Sequence, residues 1–374
     1  MSVPEEMVQS LSEAVVRRYR EGDELRIVPF LERGMGCWPA ICSSVSPLDH
    51  WQWKFLGNPL GFHLVCVAER NGDIISHSAS LPVRMKIGKE TVVASQGVDL
   101  CTDPSCRGRG LIGQTMECRN QMKDEHGVAF DFGFPNQAAY HLSMIKQGFR
   151  DLGVRMLQHR YIIDEEQFFR KVRFGSIKRL GYDSYQLLKR SLSRHVEVGG
   201  VLLDREHAFG PEFDDLYRRA AEGFDLIIAR EHRYLNWRYA DPRGGEFIIR
   251  TARQDGRLMG YMVHKQEERK GSNYLNVVDT IVDPEFQDIL SVLLLDAISL
   301  ARDRGIETIL CCLPEHHPYG QYFEDMGFLA QVRYTGDRPM SIIFLDRESK
   351  EGDLDLKAGE DLRTHIMLGD TDWV

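Results

Sequence analysis

What most constrains the fold of this 374-residue chain is that it repeats itself. Val98-Asp99-Leu100-Cys101-Thr102-Asp103-Pro104 is matched by Val278-Asp279-Thr280-Ile281-Val282-Asp283-Pro284, 180 positions later. Gly148-Phe149 returns as Gly327-Phe328 at an offset of 179, and Trp53-Lys54 ahead of Asn58-Pro59 returns as Trp237-Arg238 ahead of Asp241-Pro242 at 184. Landmarks in one order at a nearly constant offset mean two copies of one supersecondary unit. The length agrees, since it suits two or three domains.

The copies differ where the first carries its most informative loop. Val92–Thr102 alternates and is rich in β-branched residues, which predicts a strand, and Leu111, Ile112, Thr115 and Met116 recur at helical spacing. Between them, Gly108 and Gly110 let the backbone pass close to a bulky anion. The first turn of the helix adds unpaired N–H groups and a positive dipole end, and Arg107 and Arg109 add charge. A pyrophosphate suits such a loop; the plainer reading is a strand-to-helix turn with a solvated arginine pair. The second copy reads Glu285-Phe286-Gln287-Asp288-Ile289-Leu290, with no glycine, no arginine and two acidic residues. A phosphate would be repelled there.

Asp-Pro-x-x-Arg-Gly-x-Gly after a strand resembles the acyl-CoA-binding loop of the GNAT (GCN5-related N-acetyltransferase) superfamily, Arg/Gln-x-x-Gly-x-Gly/Ala. Arg107 and Gly110 fit its first two fixed positions, while Ile112 stands at the last small residue and Gly113 comes one place late. The Eis (enhanced intracellular survival) type shares that departure, Arg-x-x-Gly-Leu-aliphatic. Phe130–Asn136 is an apolar strand ending in a turn, and the helix after it closes at Gln147-Gly148-Phe149. GNAT domains carry a similar Asn near the start of this helix and a Gly-Phe after it. The resemblance covers roughly Arg26 to Arg160. Two such units in one chain are also similar to the Eis-type enzymes and to relatives from polysaccharide-assembly loci.

The resemblance implies an α/β (α+β) fold of two GNAT-like mixed-sheet domains in tandem, the second lacking the CoA pyrophosphate loop. The organisation read from the sequence is an N-terminal helix (1–22, amphipathic over Met1–Tyr19), a GNAT domain with the acyl-CoA site (23–163), connecting helices (164–199), a degenerate GNAT-like domain (200–346), and a linker with a C-terminal strand (347–374). Leu25–Val28 reads as the strand that opens the first sheet. The cofactor implied is acetyl-CoA, as co-substrate. Its residues would be Leu100, Cys101 and Thr102 along the strand, Arg107, Gly108, Arg109, Gly110, Leu111, Ile112 and Gly113 in the loop and first turn, and Asn136.

In a GNAT site an amine attacks the thioester directly, so proximity carries much of the acceleration. A backbone N–H from Leu100–Thr102 would hold the carbonyl oxygen, a base would take the ammonium proton and an acid would protonate the thiolate. The family often places a tyrosine four residues before the Gly-Phe as that acid; here Met144 stands there, and Phe323 in the second copy. Tyr140 and His141, one helical turn earlier, are the substitutes, or else a surface pair near a helix start. Asp99 is the candidate base, but the matching Asp279 in the copy without a loop favours a role in the fold. Asp131 and Gln96 are alternatives acting through a water. In Eis-type enzymes the terminal carboxylate enters the active site, which brings Val374 into consideration. Trp51, Trp53, Trp237 and Tyr239 read as packing rather than as an acceptor groove.

Net charge is −9 and basic residues form no stripe, which argues against nucleic acid as a partner. No stretch has the length of a transmembrane helix, and Met1–Gln9 lacks the features of a signal peptide, so a cytoplasmic protein away from membranes is expected. The eight cysteines include no Cys-x-x-Cys and read as thiols of a reducing compartment. A zinc cluster of Cys311, Cys312, His316 and His317 is set aside, because adjacent ligands do not easily close one tetrahedron; no metal is expected. The expected activity is acetyl-CoA-dependent N-acylation of a small-molecule amine, with amino sugars first among acceptors and an oligomer allowed. The alternatives are a Fem-like aminoacyl transferase, disfavoured by the intact loop and acidic balance, and a catalytically silent CoA-binding module.

Overall fold

The computed structural model describes residues 14–36, 38–39, 45–171, 175–192, 199–347 and 362–372. Contacts divide the described chain into two compact units, one from 1–84, 92–133 and 345–350, the other from 85–91, 134–344 and 351–374.

The first unit holds β1 (Val15–Arg18), α1 (Glu24–Met35), α2 (Pro47–Phe55), β2 (Leu64–Arg70), β3 (Asp73–Ile87, to residue 84), β4 (Glu90–Thr102, from residue 92), α3 (Leu111–Glu125) and β5 (Val128–Gly133). Its strands lie in the order β1-β2-β3-β4-β5. β1 and β3 run antiparallel to β2, while β5 runs parallel to β4 because α3 carries the chain across between them. Trp51, Phe55, Ile27, Leu31, Val65 and Val67 meet in its main core.

Two expectations fail here. Val15–Arg18 is not helical: it is an edge strand, with Arg17 bonded to the carboxylates of Asp23 and Glu69. Residues 25–28 are not a strand but the first turns of α1. Glu24, Ile27, Val28 and Leu31 are buried at helical spacing, so burial of that face outweighs the β-branched composition. α1 stops at Gly36, in the left-handed region with φ 73°, whose N–H donates to Glu32 O at 3.1 Å. Residues 1–13 of the expected helix and most of the expected linker lie outside the described residues.

The second unit adds α4 (Gln137–Lys146), β6 (Arg150–Ile162), α5 (Glu165–Arg170), α6 (Gly175–Leu192), β7 (Val201–Glu206), α7 (Glu212–Ala221), β8 (Leu226–Ile228), α8 (His232–Leu235), β9 (Ile248–Gln254), β10 (Arg257–Arg269) and β11 (Ser272–Val282). It continues with α9 (Ile289–Asp303), β12 (Thr308–Pro314), α10 (Gly320–Asp325), β13 (Leu329–Val332), the two-residue pair β14 (Tyr334–Thr335) and β15 (Arg338–Pro339), β16 (Ser341–Asp346, to residue 344) and β17 (Thr364–His365). Its sheet runs β6-β12-β11-β10-β9-β7, and β11 and β12 are parallel around α9 as β4 and β5 are around α3. The repeat is therefore structural. The β2–β3 hairpin turns on Asn71-Gly72 (φ 53° and 85°) and the β9–β10 hairpin on Asp255-Gly256 (51° and 80°), the turn type such pairs favour. Asp103 N–H donates to Ile75 O at 2.9 Å and Asp283 N–H to Met259 O at 2.7 Å, again an offset partner for partner. The architecture is a mixed α/β fold, as expected. No helix among the described residues is long and apolar enough to cross a membrane.

Candidate active site

The loop between β4 and α3 is built by its own short side chains. The Asp103 carboxylate accepts from Ser105 N–H (2.8 Å) and Ser105 Oγ (2.6 Å), which fixes a short 3₁₀ turn at Pro104–Cys106 and holds the Asp103 pKa below the ordinary carboxylate value. Gly108 and Gly110 then adopt φ 76° and 80° with open space around each, so conformation and not crowding demands glycine there. The first helical bond of α3 runs from Gln114 N–H to Gly110 O (3.1 Å), so the N–H groups of Leu111, Ile112 and Gly113 precede any acceptor in the helix. Arg107 is exposed and donates to Thr102 O (3.3 Å); Arg109 is half-exposed. A shallow groove of about 510 Å³ beside this end of α3 is lined by Val16, Gly110, Gly113 and Gln114 among others.

Upstream of the loop the sheet opens. β4 pairs with β5 from Val93↔Val128 to Gln96↔Phe132 and then runs on alone on that side from Gly97 to Thr102. Leu100 and Thr102 are half-exposed there and Cys101 is buried. The strand is deformed at Asp99, whose φ of 50° lies in the left-handed region that a non-glycine residue seldom adopts. Three partners hold it: Lys54 Nζ on Oδ2 (2.8 Å), Trp38 Nε1 on Oδ1 (3.0 Å), and His77 Nδ1 on the carbonyl oxygen (2.7 Å). Burial opposes the carboxylate's charge, but Lys54, His77 and Trp38 outweigh it and bring the Asp99 pKa below its ordinary value. A carboxylate so held is a poor acceptor for an ammonium proton.

The second copy is deformed at the same dipeptide. Val263 lies opposite Asp279 and His264 opposite Val277, which leaves Val278 as the extra residue of a β-bulge. Asp279 accepts from Tyr261 Oη (3.0 Å) and Arg230 Nη2 (3.3 Å). The cation therefore comes from a different position in each copy. Sequence reading missed Lys54 as the partner of Asp99, although its repeat partner Arg238 marks the position as one reserved for a cation.

The other residues singled out from the sequence lie in the second unit or elsewhere in the first. Asn136 Oδ1 accepts from Ala139 N–H (2.9 Å) and caps α4. Tyr140 donates from Oη to Asp151 (3.2 Å), and its ring lies 3.3 Å beneath the Arg338 guanidinium; Ser341 Oγ donates to the same carboxylate (2.9 Å). His141 is exposed. Asp131 is buried beneath α3 and accepts from Ser95 Oγ (2.5 Å), Lys123 Nζ (2.8 Å) and Arg347 Nη1 (3.2 Å); Gln96 is buried. Arg347 also donates to Asp124 (2.5 Å) and, from its backbone N–H, to Ala129 O (2.9 Å). Trp51, Trp53, Trp237 and Tyr239 are all buried. Val374 lies outside the described residues. Tyr140 has a repeat partner, Tyr319, at the Gly-Phe offset of 179. Tyr319 Oη accepts from Val282 N–H (3.1 Å), and Val282 is the repeat partner of Thr102.

Residues 41–144 match the model of an acetyltransferase (GNAT) domain, and residues 211–328 match the model of the acetyltransferase (GNAT) family. Among solved structures, a GCN5-related N-acetyltransferase from Anabaena variabilis is similar at TM-score 0.60 and 13% identity, over 89% of this chain and 72% of that one. A conserved protein from Enterococcus faecalis, described as a probable N-acyltransferase, is similar at TM-score 0.60 and 11% identity, over 88% and 72%. Saccharomyces cerevisiae N-myristoyltransferase with bound myristoyl-CoA is similar at TM-score 0.54 and 10% identity, over 89% and 82%. No curated protein matches the sequence. Identities this low speak for the fold, while the two domain matches speak for the family. The chain thus carries two GNAT acetyltransferase domains in tandem and is an enzyme of the N-acetyltransferase kind.

Proposed function

We propose that the first copy binds acetyl-CoA and transfers its acyl group to an amine of a small molecule, with amino sugars the acceptor class to test first. One observation carries the reading: a strand that outruns its parallel neighbour by six residues leads directly into a left-handed glycine loop and the open first turn of a 15-residue helix. The loop and first turn suit a pyrophosphate, with Arg107 and Arg109 beside it. The half-exposed edge from Leu100 to Thr102 suits the pantetheine arm and thioester. An acyl-CoA seated in the related yeast N-myristoyltransferase supports this use of the fold.

The amine nitrogen bonds to the thioester carbonyl carbon, and the C–S bond breaks as the tetrahedral intermediate collapses. A backbone N–H from the Leu100–Thr102 edge steadies the developing oxyanion. We assign the thiolate's proton to Tyr140, because its repeat partner Tyr319 sets a hydroxyl against the backbone of β11, at the counterpart of Thr102. Asp99 serves as the anchor of the deformed strand, and a water takes the ammonium proton. Asp131, already committed to three donors, is not the base. Asn136 belongs to the site as a helix cap. A reducing cytoplasm suits the cysteines, six of which are free thiols among the described residues.

The test is calorimetry with acetyl-CoA followed by an amine panel read as released thiol. One equivalent of acetyl-CoA per chain is expected, with thiol release dependent on acceptor. Binding without release for any amine would leave a CoA-binding module; no binding would remove the proposal.

A further inference from the structure

The opening of β4 away from β5 has a counterpart in the second copy. β11 pairs with β12 from Tyr274↔Thr308 only as far as Val277↔Cys311, yet it runs on to Val282. Segment 362–372 lies in that gap. Thr364 and His365 pair in parallel with β8, Ile366 and Met367 are wholly buried, and the turn Leu368–Asp370 packs against both β11 and β12. Gly369 sits so close that a Cβ there would stand 2.8 Å from Val278 O and 2.0 Å from Tyr239 Oη.

The segment is recognised as a ligand would be, through its backbone as well as its side chains. Arg238 donates to Gly369 O (2.9 Å) and Thr371 O (2.8 Å). Arg230 donates to Asp370 (2.6 Å) as well as to Asp279, so one buried guanidinium bridges a carboxylate of the segment and one of β11. His365 Nδ1 and His317 Nε2 share a hydrogen bond (2.9 Å). The residue that anchors the strand in the first copy is Lys54; its repeat partner Arg238 has been turned to hold carbonyl oxygens instead.

We infer that the gap of the second copy is a peptide-binding site whose ligand is residues 364–371 of the same chain, lodged where the first copy takes the acyl-pantetheine arm. The comparison with an acyl-CoA slot rests on the proposed function; the peptide site itself does not. Its selectivity follows from the contacts: three apolar residues, then a glycine that no side chain can replace, then a carboxylate for Arg230.

Hydrogen exchange on the full chain tests this. Gly369→Leu should lower protection at Ile366 and Met367 by about 100-fold while the β9–β10 hairpin keeps its own. A synthetic peptide of residues 363–372 should then bind the variant saturably and restore its thermal midpoint, and the same peptide carrying Leu at 369 should not. If Gly369→Leu fails to fold, Asp370→Asn is read the same way, with a loss of about 10-fold in protection expected at 366–371. The inference falls if both variants keep full protection, if β9–β10 loses protection in step with the segment, or if the Leu peptide binds as well as the native one. Acetyl-CoA titration keeps the two readings apart. A wild-type chain that binds none removes the acyl-CoA reading of the first gap and leaves the peptide site standing.

Discussion

The two copies answer one structural problem with opposite chemistry. Each has a parallel strand pair that parts midway, a deformed Val-Asp beyond the parting, and a helix on the far side of an Asp-Pro turn. In the first, that turn continues into left-handed glycines flanked by arginines, which favours an anion. In the second it is acidic, and a stretch of the chain's own backbone lies between the strands, its carbonyls held by Arg238 and its carboxylate by Arg230. The lesson is that an opened sheet demands a guest, and what surrounds the opening decides which. Helix dipole and exposed charge suit a soluble phosphate; buried arginines suit a peptide that brings its own carboxylate.

Replacing the carboxylates of Asp99 and Asp279 by amides should give the largest effect and separate the copies. Asp99→Asn leaves Lys54 buried without its counter-charge and should cost about 3–5 kcal/mol in urea unfolding. Asp279→Asn leaves Arg230 with Asp370, and about 1–3 kcal/mol is expected. Equal losses would mean that the two anchors are equivalent after all. If Asp99 were instead the base, the rate would fall by about 10²–10⁴-fold with stability nearly intact.

The paired tyrosines come next. Tyr140→Phe should lower kcat by about 100-fold with acetyl-CoA affinity retained, whereas Tyr319→Phe should leave kcat alone and cost roughly 1 kcal/mol of stability. An unchanged kcat in Tyr140→Phe would move the proton donor to His141 or solvent. For the loops, Arg107→Ala with Arg109→Ala should weaken acetyl-CoA binding by about 1–3 kcal/mol, while Gln287→Ala with Asp288→Ala should change nothing. Calorimetry that shows equal effects would end the distinction between the loops.

The smallest effect concerns pH. Burial holds the His317 and His365 pKa values below the ordinary histidine value, more strongly for His317, with His365 and Arg230 adding to it at His317, Arg230 adding to it at His365, and Asp279 opposing it at His365. The unfolded chain gains these protons as pH falls through about 6.5, before the folded chain does, so stability drops with falling pH. Between pH 7 and pH 5 the wild type should lose about 1 kcal/mol more than His365→Gln. A pH dependence identical in the two proteins would show that the pair plays no part in holding the segment.

Much of this was legible in the sequence, for physical reasons. The loop is local: Asp103, Gly108 and Gly110 impose their turn with little help, and the strand and helix on either side obey simple periodicities. The repeat exposed the second copy. The failures are long-range. Leu25–Val28 looks like a strand until the core that buries Ile27 and Leu31 is present, and Val15–Arg18 becomes a strand only because β2 offers an edge. The pairing of Lys54 with Asp99 spans 45 residues and that of Arg230 with Asp370 spans 140, and neither leaves a spacing in the sequence. The sequence marked 347–374 as a linker with a C-terminal strand but not the destination of segment 362–372, since the arginines that receive it stand 140 and 131 residues away.

Arg347 carries a consequence for the order in which this protein is made. The Asp131 carboxylate, buried in the first unit, has Ser95 and Lys123 from nearby sequence, but its third donor comes 216 residues later. Residues 345–347 belong to the first unit, and the Arg347 backbone closes onto Ala129. During synthesis, then, this buried cluster of charge gains its last donor only after the whole of the second copy has been made.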